Sequence, residues 1–388
     1  MAKIFVTDAA GENPVPFLRG ILTRSLTEAG LGFDEAYQLA SEIRQQVDDS
    51  GSVTNDALFV LVRDSLRRSK SAEIAEHYAS RRAPDTGLLV RHSNGDLLPF
   101  SRTEHVRCLA ACGLTEEEAA HASGMILSDI SSRQQREIAS DELRARSQHC
   151  LDIHFGRRAA ERYRIWMDFI QSGRPLILLI GGAGGSGKST IATELAHRLG
   201  IVRTQSTDML REVMRMLIPE RLLPILHRSS FDAGDLVEPP RDGERDPLAA
   251  VVAGYQRQLE LLAVPCEAVI TRAIRERVSL ILEGVHVHPG LAERIAARGD
   301  AVLVSIMLGV LKPEQLRARL RGRQRIAPER DTRTDPDNFR RIWHLQGHLL
   351  DEADRLGAPI LLNDDQDKTA TLVLRTVIDV LDSTEAAA

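Results

Sequence analysis

Lysine is scarce in this chain. Of its 50 basic residues only five are lysine: Lys3, Lys70, Lys188, Lys312 and Lys368. Chemistry that needs a compact ammonium group therefore has few positions to choose from. Cysteine is scarce too. Four cysteines in 388 residues, with no C-x-x-C pair, exclude a disulfide framework, a zinc ribbon and a thioredoxin-like redox site. Long apolar runs are missing. Stretches such as Pro175–Ile180 fall far short of the roughly 20 residues that span a bilayer. The first ten residues lack a basic segment followed by an apolar one, so no secretory signal is expected. At a net charge of −5 there is no global field for nucleic acid or an anionic membrane. The expectation is a cytoplasmic globular protein with no nucleic-acid or membrane partner, long enough for two or three domains.

What is present begins with a repeat. Residues 16–47 match 99–130 at ten of 32 ungapped positions, including Pro16-Phe17 with Pro99-Phe100, Arg19 with Arg102 and Gly30-Leu31 with Gly113-Leu114. Two residues of slippage then align Val53, Asp56 and Leu58 with Ile138, Asp141 and Leu143. Each copy reads as an extended segment (Lys3–Thr7; Leu88–Arg91), a turn at Gly11 or Gly95, and three helices. Gly30 and Gly113 stand where a helix C-cap belongs. Cys108 and Cys112, an i, i+4 pair, have Ser25 and Ala29 as repeat partners, so small-residue packing explains them better than redox chemistry.

The second copy carries Arg91, Gly95, Pro99, Phe100 and Arg102. This pattern resembles the ATP-cone domain, a regulatory nucleotide-binding module. The resemblance implies ATP or another adenine nucleotide as a ligand of the N-terminal modules. The first copy, Thr7-Asp8-Ala9-Ala10-Gly11, has no basic residue at the corresponding place.

From Pro175 the periodicity changes. Leu176–Ile180 is a continuous apolar run, as expected of a strand buried on both faces. Gly182-Ala183-Gly184-Gly185-Ser186-Gly187-Lys188-Ser189 follows, and a helical pattern continues from Thr190. This is G-x-x-x-x-G-K-S in the strand–loop–helix setting of a P-loop. Its glycines let backbone N–H groups converge on phosphate, Lys188 reaches the β- and γ-phosphates, and Ser189 offers a hydroxyl to Mg²⁺. ATP and Mg²⁺ are the expected cofactors.

Beyond the loop, strands are expected near Val202–Thr204, Ser279–Leu282, Ala301–Leu308 and Pro359–Leu362. Helices are expected over Met209–Leu217 and Leu248–Arg277, the latter either continuous or broken at Pro265. Alternating strands and helices imply an α/β fold with a doubly wound parallel sheet and ligands at the carboxyl ends of the strands. Asp208 and Glu283 fall just past such ends. Asp208 is read as the acid that orients or deprotonates an acceptor hydroxyl, and Glu283 as an acid holding Mg²⁺ or its waters. His286 and His288 follow in the next loop; substrate contact or loop packing fits them better than a metal pair. Nine arginines crowd residues 317–341, a concentration suited to a mobile lid that meets a transferring phosphoryl group. A polar stretch between Leu226 and Leu248 reads as a substrate-side loop.

Ile180 to Thr190, then Ser206-Thr207-Asp208 with Arg211-Glu212-Val213-Met214-Arg215, then Leu282-Glu283-Gly284-Val285-His286, resemble the 2-phosphoglycerate kinase family in the same order. That resemblance covers most of the chain. It implies a P-loop kinase-type domain over 154–388, preceded by cone-like modules over 1–83 and 84–153. It also implies γ-phosphoryl transfer to the 3-hydroxyl of 2-phosphoglycerate or a related small anionic acid. Asp208, Arg211, Arg215 and His286 then serve the acceptor, and Arg319 and Arg323 match the family's lid arginines. Three departures stand out: two cones instead of one, Trp343 where an arginine is usual, and a polar insertion near Asp232–Asp246. On the residues alone, a sugar acid, nucleoside or antibiotic as acceptor, a non-catalytic nucleotide switch, and assembly into a homo-oligomer stay open.

Overall fold

The structure, a computed structural model, describes residues 4–7, 15–48, 52–69, 74–75, 78, 88–133, 135–237, 246–296, 300–326 and 335–386. The expected turn near Gly11, Pro239-Pro240, and Arg330 and Arg333 of the arginine cluster lie outside the described residues. The chain divides into two compact units, residues 1–106 with 117–154, and residues 107–116 with 155–388.

The two repeat copies build the same topology. The first copy has strands β1 (Phe5–Thr7), β2 (Val15–Pro16) and β3 (Ser52–Thr54), and the second has β4 (Leu89–Arg91), β5 (Leu97–Pro99) and β6 (Glu137–Ala139). Each forms a three-stranded sheet whose first strand lies in the middle, antiparallel to the second and parallel to the third. Helices Arg19–Glu28, Phe33–Asp48 and Asn55–Ser69 recur as Arg102–Ala111, Glu116–Ser132 and Ser140–Phe155. Gly30 and Gly113 both take the left-handed conformation, with φ of 110° and 87°, that ends the first helix of each copy. Strands β2, β3, β5 and β6 were not foreseen from the sequence, because two or three residues show no period.

The copies differ in their cores. In the first, Leu22, Ala40 and Val62 are buried together with the rest of an apolar cluster. At the matching positions the second has His105, Ser123 and Ser147, all buried. Ser147 Oγ donates to the Leu143 carbonyl at 2.8 Å and so accepts from His105 Nε2 at 3.0 Å. His105 Nδ1 then accepts from Ser123 Oγ at 3.0 Å. As a neutral ring the imidazole has both nitrogens satisfied, and burial, aided by Arg102, holds its pKa down to about 4.

In the second unit, five parallel strands β7 (Leu176–Gly181), β8 (Arg203–Ser206), β9 (Leu280–Gly284), β10 (Val302–Gly309) and β11 (Ile360–Leu362) are ordered β11-β10-β7-β9-β8. Every residue of β7 is buried, as a central strand covered on both faces requires. On one face Ile177 and Leu179 pack with Leu280 and Leu282 against Cys266 and Ile270 of the Pro247–Arg275 helix. That helix runs unbroken through Pro265, with Leu262, Cys266 and Ile270 buried on either side of it. Helices Arg157–Ser172 and Gln366–Ala386 also belong to this unit, and neither was foreseen. Among the described residues no helix is long and apolar enough to cross a membrane. Cys112 donates its thiol to the Cys108 carbonyl one turn back, and burial raises its pKa well above the ordinary thiol value.

The His105 network makes a pH prediction. A histidine whose folded pKa is depressed stabilises the fold fully above its ordinary value and loses that contribution as pH falls. Between pH of about 6.5 and about 4, protection of the Glu116–Ser132 helix from hydrogen exchange, corrected for intrinsic rates, should fall by about 3 kcal/mol. The variant His105→Leu/Ser123→Ala/Ser147→Val, which copies the first repeat, should lose little in that window. Equal losses in both proteins would contradict the assignment.

Candidate active site

The parallel register sets the site. Ile180 of β7 pairs with Glu283 of β9, and Glu283 pairs with Ser206 of β8, so the three strands end at one level. The P-loop leaves β7 there, between neighbours β9 and β10, which the chain reaches in opposite directions.

The loop is shaped by its glycines. Gly182, Gly185 and Gly187 have φ of 149°, 90° and 89°. A Cβ on Gly182 would meet the Leu308 carbonyl oxygen at 2.6 Å, and one on Gly187 would collide with the Asn363 amide. Gly184 has open space beside it. The helix Lys188–Leu199 begins directly after Gly187, so its first N–H groups face the loop. Lys188 is buried at 5% exposure and its Nζ lies 3.5 Å from the Ala183 carbonyl. Thr190 is exposed on the same helix.

Ser189 Oγ donates to Glu283 Oε1 at 3.0 Å. The other carboxylate oxygen, Oε2, is buried with no hydrogen-bond partner among the described residues, and so are Ser186 Oγ and Thr207 Oγ1. A half-satisfied buried carboxylate beside a P-loop hydroxyl suits a hard cation with oxygen ligands, as Mg²⁺ requires. Glycines that admit no side chain, an amide-rich helix start and the ammonium of Lys188 suit a polyphosphate.

On the far side of Glu283, Ser206 caps the Thr207–Leu217 helix by accepting from Met209 N at 3.1 Å. The cap aims Asp208 and Arg211 toward the strand ends. Arg211 Nη2 stands 3.9 Å from Asp208 Oδ1, and Nη1 donates to the Arg228 carbonyl at 2.5 Å. Arg215, one turn on, is engaged by Glu212 at 2.7 Å. His286 is buried, and its Nε2 lies 3.1 Å from Gln258 Oε1. Burial lowers its pKa to about 3; Asp208 opposes that shift, and Arg211 and Lys188 add to it. Asp208, Arg211 and Lys188 thus all act electrostatically on the His286 ring. His288 turns away to Glu352 at 3.5 Å, so the two histidines do not converge. Among the described residues no group of three His, Cys, Asp or Glu could hold a metal ion.

The arginine-rich segment divides by role. On the Pro313–Ile326 helix, Arg319 Nη1 donates to the Ser186 carbonyl at 3.3 Å and Nη2 to the Asn363 carbonyl at 2.5 Å. Arg323 lies four residues further along, and its side chain is outside the described residues. Arg317 instead stacks on Phe339 at 4.2 Å, and Arg341 pins Asp235 and Asp232 at 3.0 and 3.4 Å. Those two are engaged with side chains of the second unit. Asp232 and Asp235 belong to the polar insertion, whose Ala233–Leu236 turn packs backbone to backbone on the long helix: a Cβ on Gly234 would run into the Ala250 carbonyl.

Asn363 was missed by sequence reasoning. Its Nδ2 donates to the Ser186 carbonyl at 2.8 Å, so it clamps the P-loop from the end of β11. A buried amide just past a strand end is a signal only once the strand order is known.

No protein-family model matches the chain. A 2-phosphoglycerate kinase of Thermococcus kodakarensis is 33% identical over 285 residues, covering 74% of this chain and 94% of its own. Those of Pyrococcus furiosus and Methanopyrus kandleri are both 31% identical, covering 73% and 79% of this chain and 90% and 92% of theirs. The chain belongs to the 2-phosphoglycerate kinase family. It is a phosphotransferase with a hydroxyl acceptor. Against any one of these kinases, between a fifth and just over a quarter of the chain lies outside the match.

Removing the clamp tests the loop geometry. Asn363→Ala should raise the KM for nucleotide about tenfold, with a loss of about 1–2 kcal/mol in urea unfolding of the second unit. An unchanged KM would show that Ser186 needs no anchor.

Proposed function

We propose that the chain transfers the γ-phosphoryl group of ATP to the hydroxyl of 2-phosphoglycerate, giving 2,3-bisphosphoglycerate. The observation that carries this reading is one meeting point: Lys188, the Ser189–Glu283 pair, and Asp208 with Arg211 and His286, all at the carboxyl ends of adjacent strands. Relatives that carry the name 2-phosphoglycerate kinase supply the acceptor.

When bound, ATP supplies the phosphoryl group and Mg²⁺ the positive charge that offsets its oxygens. The backbone of Gly182–Thr190 and Lys188 hold the phosphates. Ser189 and Glu283 are the residues that would hold the cation, Glu283 having one buried carboxylate oxygen without a partner among the described residues. Arg319, already on the Ser186 carbonyl, and Arg323 of the same helix counter charge on the transferring group. Arg211 and Arg215 attract the phosphate and carboxylate of the acceptor by charge-assisted hydrogen bonds. Asp208, whose side chain is 47% exposed, receives the hydroxyl proton.

The chain is further read as three domains, cone-like modules over 1–83 and 84–153 and a kinase domain over 154–388, in the cytoplasm. The cones bind adenine nucleotide and regulate the kinase. In the second, Arg91 is held by Glu137 at 2.6 Å, so a ligand phosphate has to displace that carboxylate.

In steady-state assays with ATP and 2-phosphoglycerate, Lys188→Ala should abolish turnover. Asp208→Asn should lower kcat by about 10²–10⁴ with little change in either KM. Arg211→Ala should raise the acceptor KM by about tenfold or more. Retained turnover in Lys188→Ala, or an Asp208→Asn enzyme at full rate, would overturn these roles. For the cones, a Lys188→Ala chain should still bind ATP at a second class of site. A chain with all ATP binding lost in that variant has silent cones.

A further inference from the structure

One buried hydrogen-bond acceptor in this site is left unfilled by the protein. His286 sits three residues beyond Glu283 and is 2% exposed. The Pro247–Arg275 helix grips it with two residues one turn apart. Tyr255 stacks on the imidazole, centroids 5.9 Å apart and planes 16° from parallel, and its hydroxyl donates to the Val285 carbonyl at 3.1 Å. Gln258 Oε1 meets His286 Nε2 at 3.1 Å.

The Gln258 amide has only one orientation. Its Nε2 donates to the Ile225 carbonyl at 2.6 Å and the Arg228 carbonyl at 3.0 Å. Carbonyls only accept, so turning the amide over would set oxygen against oxygen. Oε1 therefore faces the imidazole, and it too can only accept. The proton of the neutral ring must then be on Nε2. That leaves Nδ1 as a bare lone pair, buried and without a protein partner among the described residues. Buried polar atoms in that state call for a ligand or water to complete them. The charged groups acting on the ring are Asp208, Arg211 and Lys188. The Arg228 carbonyl is shared by Gln258 and Arg211 Nη1, so the same amide also fixes the seat of the arginine assigned to the acceptor.

We infer that Gln258 is a positioning residue that holds His286 as the Nε2–H tautomer, so that Nδ1 accepts a hydrogen bond from the hydroxyl of the acceptor substrate. This deepens the proposed function and rests on it for the identity of that substrate. At neutral pH the ionised carboxylate and phosphate of 2-phosphoglycerate donate little, so its single hydroxyl is the donor that fits. Nδ1, buried and held neutral, orients the hydroxyl, whose proton passes to Asp208. His286 thus sets where the hydroxyl oxygen lies, and Asp208 sets when the proton leaves.

The test uses the full chain carrying nitrogen-labelled histidine, with the His286 signals identified by their loss in His286→Gln. In the free enzyme at neutral pH, the Nε2–H tautomer is expected, and Gln258→Leu should release it into a mixture. Saturating 2-phosphoglycerate should shift the Nδ1 resonance, whereas its deoxy analogue 2-phospholactate, which keeps both anionic groups, should not. Kinetically, His286→Gln and Gln258→Leu should raise the acceptor KM about tenfold, with the KM for ATP changed less than about twofold. His286→Asn, whose side-chain oxygen can reach the Nδ1 position, should recover part of that loss. An Nδ1–H or doubly protonated ring in the free enzyme would overturn the tautomer lock. An identical shift with both ligands, or equal losses for ATP and acceptor, would overturn the hydroxyl contact. Absence of turnover with 2-phosphoglycerate would instead refute the substrate reading, since the free-enzyme tautomer is measured without any substrate.

Discussion

The site depends on the hydrogen bond between Ser189 and Glu283, and that bond depends on strand register. β9 lies beside β7 with Glu283 opposite Ile180, so its acid reaches the first turn of the helix that follows the P-loop. A slip of one residue would turn Glu283 to the opposite face of the sheet. The register is held by apolar burial. Leu176 through Ile180 and Leu280 through Leu282 are all nearly or fully inaccessible to solvent, and Leu179 pairs with Leu282 at the last position before the acid. Hydrophobic burial along the strands thus fixes where a carboxylate stands at their ends.

The same economy appears around the P-loop. One backbone atom, the Ser186 carbonyl, receives Asn363 from β11 and Arg319 from the arginine-rich helix. The loop is therefore tied to the far side of the sheet as well as to its own strand and helix. Beyond Glu283 one side chain, Gln258, joins the long helix to the His286 loop and to the segment that seats Arg211. The P-loop and the group around Arg211 and His286 are each built around a single shared polar anchor, and the Ser189–Glu283 pair belongs to the strand ends between.

Much of this was legible in the sequence. The P-loop, the β-α alternation, the strand ends at Asp208 and Glu283, and the repeat at 83 residues are all carried by local pattern: apolar runs, glycine spacing and identities at fixed offset. The Ser206–Thr207–Asp208 cap was equally readable, since a hydroxyl before an acid opens a helix for local electrostatic reasons. Asn363 and Gln258 were not readable. Each is an ordinary polar residue whose role comes from partners 177 and 28 positions away, on elements that meet only through the sheet order. The arginine cluster was readable as a concentration but not as a division of labour. Arg317 and Arg341 find an aromatic ring and two acids that nothing in the local sequence announces. In the repeat, identities revealed the duplication, while its chemical divergence is in the replaced positions, where Leu22, Ala40 and Val62 give way to His105, Ser123 and Ser147.

The central claim is that a P-loop site and an acceptor site meet across Glu283 to phosphorylate one hydroxyl. Phosphorus NMR of the full chain with ATP, Mg²⁺ and 2-phosphoglycerate tests it most directly. The account predicts a new phosphomonoester on the 3-oxygen, appearing in step with ADP. ADP without a new phosphomonoester, or no reaction at all, would contradict it.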